Sequence, residues 1–195
     1  MTIKRLAVFC GSNRGSSATF AEAAATLGRL LADRNIELVF GGSHVGLMGV
    51  VADAVLERGG NAIGVLPRFM QEKELAHPGL TTLHLVDTMH ERKQRMAELS
   101  DGFVALPGGF GTFEEIFEAI TWGQLHLHGS PCGLLNVSGY FDALIEFLRH
   151  SVTSGFVRSA QLDSLRVATT PEELLSGFET FQPDRSEKWF PTDLI

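Results

Sequence analysis

The sequence predicts a single three-layer α/β domain, a doubly wound, Rossmann-like parallel sheet with helices on both faces. Three observations predict it. Short apolar runs alternate with longer segments of helical period along the whole chain. The runs are apolar at successive positions rather than at alternate ones, the pattern of strands buried on both faces. Glycine-bearing turns follow three of these runs, as they do where strands hand over to helices at the carboxyl edge of such a sheet.

The elements follow in order. Leu6-Ala7-Val8-Phe9 is the first strand. Residues 16–33 form a helix, with Phe20, Ala24, Leu27 and Leu31 recurring on one face. Residues 36–40 are the second strand, and a helix over 47–57 stops at Gly59-Gly60. The third strand spans 61–66, and a charged loop fills 67–78. Strands four and five lie at 81–86 and 103–106, each followed by a helix, at 88–99 and 112–125. A sixth strand at 133–137 leads to a helix at 140–150. A short seventh strand at 165–168 precedes a last helix over 171–178, with Pro171 at its first position, where a missing N–H is harmless. One domain is expected over residues 1–180. A tail, 181–195, is polar apart from Trp189, Phe190 and Leu194 and is expected to pack on that domain.

Composition narrows the function classes. A chain of 195 residues suits one domain with a full core. Its net charge of −7 argues against broad binding to nucleic acid or anionic membranes. No apolar run reaches the length of a membrane span. The first residues lead into a strand rather than a signal-peptide core. Cys10 and Cys132 make neither a disulfide framework nor a zinc pattern; they are expected as buried thiols in a cytoplasmic protein. No metal and no cofactor is implied.

Three loops carry the chemistry. They are Cys10-Gly11-Ser12-Asn13-Arg14-Gly15-Ser16, Gly41-Gly42-Ser43-His44-Val45-Gly46-Leu47-Met48-Gly49, and Pro107-Gly108-Gly109-Phe110-Gly111-Thr112-Phe113-Glu114-Glu115. In a parallel sheet all three emerge on one edge, so they converge on one crevice. The third has the composition of an anion cradle: glycines let the backbone approach, and a helix start supplies N–H groups and a positive dipole end. Glu115, one turn in, lies within reach of a sugar carrying that anion. The pattern Thr112-x-x-Glu115 also fits a capping box, in which Glu115 would turn back on its own backbone. Glu114 and Glu118 read as a solvated or neighbour-paired set.

The common nucleotide signatures are absent. No G-x-G-x-x-G follows the first strand, and there is no G-x-x-x-x-G-K-[ST] and no H-E-x-x-H. His126-x-His128, at a helix end, reads as solvated or capping. On the helix after strand four, Met89, Arg92, Lys93 and Met96 share a face, half apolar and half cationic. That face suits an anion beside an apolar base; it also suits a solvent-exposed helix with a Glu91–Arg95 pair.

Met89-His90-Glu91-Arg92-Lys93 together with Pro107-Gly108-Gly109-Phe110-Gly111-Thr112-Phe113-Glu114-Glu115 resembles the double signature of the Lonely Guy family, an R-K followed by P-G-G-x-G-T-x-x-E. Gly46-Leu47-Met48-Gly49 is similar to that family's G-L-M-G turn, and the likeness runs over about residues 4–180. The resemblance implies a cytokinin riboside 5′-monophosphate phosphoribohydrolase, cleaving an N6-substituted adenosine 5′-monophosphate to free base and ribose 5-phosphate. It implies Arg92 and Glu115 as the catalytic pair. It implies substrate contacts at Gly11, Ser12, Gly42, Ser43, Met89, Lys93, Pro107, Gly108, Gly109, Gly111 and Thr112. It also implies a homodimer with sites near the subunit interface. Apolar residues of the helix after strand five (Phe113, Ile116, Phe117, Ile120, Trp122) serve such an interface or the core equally well. Ser43 stands where many members have a third glycine, which bears on the base pocket rather than the reaction. The label "lysine decarboxylase" that many members carry implies pyridoxal phosphate on a dedicated lysine, and no lysine here has a motif for it. The rival functions are a general AMP nucleosidase and a non-enzymatic nucleotide binder or carrier on the same fold.

Overall fold

The structure, a computed structural model, describes residues 2–73 and 75–183. Most of the expected tail, including Trp189, Phe190 and Leu194, lies outside the described residues. Among the described residues, seven parallel strands form one sheet in the order β4-β3-β2-β1-β5-β6-β7. They are β1 (Arg5–Phe9), β2 (Glu37–Phe40), β3 (Ala62–Pro67), β4 (Thr82–Val86), β5 (Gly102–Ala105), β6 (Cys132–Leu135) and β7 (Arg166–Ala168). The helices are α1 (Ala18–Asp33), α2 (Gly46–Glu57), α3 (Arg68–Gln71), α4 (Met89–Leu99), α5 (Phe110–Gln124), α6 (Asp142–Thr153), α7 (Ser159–Ser164) and α8 (Pro171–Glu179).

The chain winds outward from β1 to β4, then crosses back to place β5 against the free side of β1. Ala7 pairs with Val39 of β2 on one side and with Phe103 of β5 on the other. The order of strands reverses between β1 and β5, which is where an open α/β sheet opens a crevice for ligands.

Strand period explains the two cores. Leu6 and Val8 face one layer, with Leu27 and Leu31 of α1, Val51 and Val55 of α2, and Leu174 and Phe178 of α8. Ala7 and Phe9, one residue out of phase, face Met96 of α4, Ile116 and Ala119 of α5, and Phe141. Phe113, Phe117 and Ile120 pack against this second core and are partly buried.

Element boundaries differ from expectation at informative places. The loop after β3 contains the single turn α3, and α7 precedes β7; both are too short to show an apolar period. After β6 a 3₁₀ turn at Val137–Gly139 delays α6 to Asp142. Most important, α5 begins at Phe110, two residues before the expected Thr112. Both cysteines are free and buried, and burial pushes the Cys132 thiol up to about 12. Among the described residues no helix is long and apolar enough to cross a membrane.

Candidate active site

The three loops meet above the carboxyl ends of β1, β2 and β5, and Gly11 ties them together. Its N–H donates to the Pro107 carbonyl at 3.0 Å, and its own carbonyl accepts from the Leu47 N–H at 2.9 Å. The second loop is braced from outside by residues 75–77. His44 donates its N–H to the Leu75 carbonyl, His77 donates to the Gly42 carbonyl, and Ser43 bridges Ala76. The buried His77 ring accepts from the Gly79 N–H at Nδ1 and meets Asp53 of α2 at 3.0 Å through Nε2.

Arg92 lies in this floor. Its side chain is only 10% exposed, and it reaches from α4 beneath the second loop. Nε donates to the Val65 carbonyl at 3.2 Å, and Nη1 lies 3.4 Å from Glu115 Oε1. Gly41 makes room for it: a Cβ there would sit 1.8 Å from Nη2. Sequence reasoning missed this glycine as a site residue. The signal was its position directly after a buried strand, where close approach by a neighbour is a standard reason for glycine.

Glu115 is 11% exposed and points to Arg92, not to its own helix start. The capping box is not formed, because Gly109 is the N-cap of α5 and Thr112 is already inside the helix. Several effects act on the Glu115 carboxyl, those of Glu114, Lys93 and Glu118 among them. Burial pushes its pKa up; Arg92 pulls it down; the net direction is up from 4.5. Arg92 does lower it, but desolvation of the buried carboxylate outweighs that cation.

The cationic face of α4 is buried, not solvent-exposed. The Glu91–Arg95 pair is absent: Glu91 accepts from the Asp87 N–H, and Arg95 pairs with Glu98. The Lys93 ammonium is held by Glu114 and Glu118. It thus joins α4 to α5, and Glu114 and Glu118 are neighbour-paired. Met89 lies half-exposed at the mouth, its sulfur 4.0 Å from Arg92 Nη1.

The third loop is open. Gly109 offers no side-chain cap, so the N–H groups of the first turn of α5 have no acceptor from the cap residue. A Cβ on Gly109 or on Gly111 would meet no protein atom within 4 Å. Neither glycine is needed to accommodate the protein itself, and the space they leave lies at a positive helix end. Thr112 is buried, its hydroxyl packed against Gly108. Ser12 is exposed beside this opening, Pro107 is buried, and the Ser43 hydroxyl accepts from the Val45 N–H at 3.4 Å within its own loop.

His128 bonds the Ala119 carbonyl through Nε2 and accepts from the Ser130 N–H. Among the described residues no group of three His, Cys, Asp or Glu side chains is placed to hold a metal ion.

The family described as "Possible lysine decarboxylase" matches residues 48–178. Lys93, the lysine beside the site, is held by two carboxylates, and Lys4 and Lys73 are exposed. Cytokinin riboside 5′-monophosphate phosphoribohydrolase LOG3 of Arabidopsis thaliana is 43% identical over 92% of this chain and 84% of its own. The probable enzyme of the same name LOGL2 from Oryza sativa subsp. japonica is 43% identical over 94% of this chain and 75% of its own. Among solved structures, the molybdenum cofactor carrier protein of Chlamydomonas reinhardtii superposes with a TM-score of 0.69 at 20% identity, covering 91% of this chain and 97% of that one. That likeness shows the fold alone. The double motif, the site it builds and the relatives agree: the chain belongs to the Lonely Guy family of cytokinin riboside 5′-monophosphate phosphoribohydrolases.

Proposed function

We infer that this chain hydrolyses the N-glycosidic bond of adenosine 5′-monophosphates, those with an N6 substituent included, releasing the free base and ribose 5-phosphate. The observation that carries this reading is the Arg92–Glu115 pair beside an uncapped helix start. The phosphate seats on the N–H groups at Gly109–Thr112, where the helix end favours an anion. Its binding fixes the sugar over Glu115. Pro107 and Gly108 set the turn, and Gly11 and Ser12 close the seat from the first loop. Gly42, Ser43 and Met89 border the base, and Lys93 holds α4 to α5 behind the seat.

Breaking C1′–N builds positive charge on the ribose. The Glu115 carboxylate stabilises that charge and takes a proton from the attacking water. Its raised pKa makes it a better proton acceptor than an ordinary carboxylate. Arg92 remains charged and donates no proton to the leaving base; it orients Glu115 and binds substrate oxygens. The departing base takes its proton from solvent.

We further propose a cytoplasmic homodimer without nucleic-acid partners. Two buried free thiols and a net charge of −7 support the location and the lack of nucleic acid. Light scattering on the purified chain tests the dimer. The direct test of the activity is chromatography of reactions with AMP and with isopentenyladenosine monophosphate. Free base and ribose 5-phosphate from both are expected. Release from AMP alone would make the chain a general AMP nucleosidase, and binding without release would leave a carrier.

A further inference from the structure

We propose that Tyr140 is a positioning residue for the phosphate end of the substrate, fixing the peptide between Gly108 and Gly109 so that the Gly109 N–H points into the seat. The proposal rests on the phosphate seat described above. The Tyr140 hydroxyl donates to the Gly108 carbonyl at 2.5 Å. In a trans peptide the C=O and the following N–H point in opposite directions. A donor that captures the Gly108 carbonyl on one side therefore commits the Gly109 N–H to the other. Among the described residues no carbonyl or side chain accepts from that N–H. A peptide flanked by two glycines flips easily, so its orientation needs an external hold.

The segment after β6 is built to supply that hold. Ser138 and Gly139 both adopt left-handed backbone, with φ of 52° and 73°, a conformation a serine rarely takes. The buried Asn136 fixes the turn: its Oδ1 accepts from the Phe141 N–H and its Nδ2 donates to Asp142, both at 2.7 Å. The Tyr140 ring then stands edge-on to Phe141 at 5.0 Å and to Phe20 of α1 at 5.7 Å. Phe20 in turn lies under Gly15 of the first loop, where an added Cβ would come within 2.7 Å of its ring. One side chain thus bonds the third loop while packing on the support of the first. Tyr140 is 40% exposed, so a phenylalanine would satisfy the packing and would lose only the hydroxyl.

The test is Tyr140→Phe, which keeps both ring contacts. Kinetics on AMP are paired with calorimetric binding of ribose 5-phosphate and of adenine, and with a melting curve. Losing one orienting hydrogen bond is expected to raise KM for AMP about 3- to 10-fold and to weaken ribose 5-phosphate by a similar factor. Turnover at saturation should stay within about twofold, since the reacting groups are untouched. Adenine affinity and melting temperature should not move. Unchanged KM and unchanged ribose 5-phosphate affinity would overturn the proposal, as would an equal loss for adenine. If the wild-type chain binds ribose 5-phosphate but releases no base, the hydrolase reading fails while the calorimetric comparison still decides the role of Tyr140. If it binds no ribose 5-phosphate, both fall.

Discussion

Two stretches of this chain share one four-residue pattern and use it in opposite ways. Thr88-Met89-His90-Glu91 opens α4, and Thr112-Phe113-Glu114-Glu115 lies in the first turns of α5. At α4 the pattern caps the helix. The Thr88 hydroxyl accepts from the Glu91 N–H at 3.1 Å, and the Glu91 carboxylate accepts from the Asp87 N–H at 2.8 Å. At α5 the helix has already begun at Phe110, so Thr112 caps nothing and Glu115 is free to turn to Arg92. The difference lies upstream of the shared pattern. Gly108-Gly109 turns the chain early, and the extended residue Gly109 takes the N-cap position without a side chain to fill it. α1, α4 and α8 are each closed by a Ser or Thr side chain, at Ser17, Thr88 and Thr170. α2 and α5, whose starts form the crevice, are not, and neither are α3 and α6. A helix that closes its own start contributes stability; one that leaves it open keeps its N–H groups for a ligand.

The largest expected effect that sharpens this contrast is at Glu115. Glu115→Gln should lower turnover at least ~10²-fold, the scale of one removed electrostatic group, with the fold retained by circular dichroism. A Glu115 acting as a cap would instead show normal turnover and a loss of about 0.5–2 kcal/mol in stability. The pH profile carries a second readout. Because burial raises the Glu115 pKa above 4.5, and the ionised form acts, the wild-type rate should fall with acid through an apparent pKa above that value. A midpoint below 4.5 would mean that Arg92 dominates.

Arg92→Ala comes next. It removes the cation beside Glu115 and the donor to Val65, and turnover should fall by a similar order. The remaining buried carboxyl loses its partner, so the acid limb of the pH profile should move further up. A shift toward lower pH would contradict the pairing.

Gly111→Ala should separate stability from binding. Glycine within a helix costs up to about 1 kcal/mol relative to alanine, and no protein atom obstructs a methyl at Gly111. The variant should melt no lower than wild type in a thermal scan while its KM for AMP rises. A KM left unchanged would show that the open space is not where substrate sits.

The smallest effect on activity belongs to α4. Thr88→Ala should cost about 1 kcal/mol in denaturant unfolding and leave turnover with AMP within about twofold. A loss of turnover comparable to that of Glu115→Gln would erase the distinction between the two helix starts.

Much of this was legible in the sequence, for physical reasons that also explain the rest. The central strands were visible because burial on both faces makes them largely apolar, as Leu6 to Phe9 are. The pairing of Arg92 with Glu115 came from motif resemblance, since no local rule brings two residues on different helices together. The start of α5 was misplaced because Thr112-x-x-Glu115 satisfies a local capping rule that the glycine turn before it overrides. The burial of the α4 face was ambiguous because cations on an amphipathic helix are usually solvated, whereas here Lys93 meets Glu114 and Glu118 on the neighbouring helix. Tyr140 was invisible as a site residue because its contact with Gly108 spans 32 positions and depends on a turn with two left-handed residues.

The most direct measurement is a crystal structure of Glu115→Gln with AMP bound. The account predicts the phosphate oxygens within hydrogen-bond distance of the N–H groups of Gly109 to Thr112, with the side chain at position 115 facing C1′ of the ribose. A phosphate seated away from the start of α5, or a residue 115 turned from the sugar toward its own helix start, would contradict it.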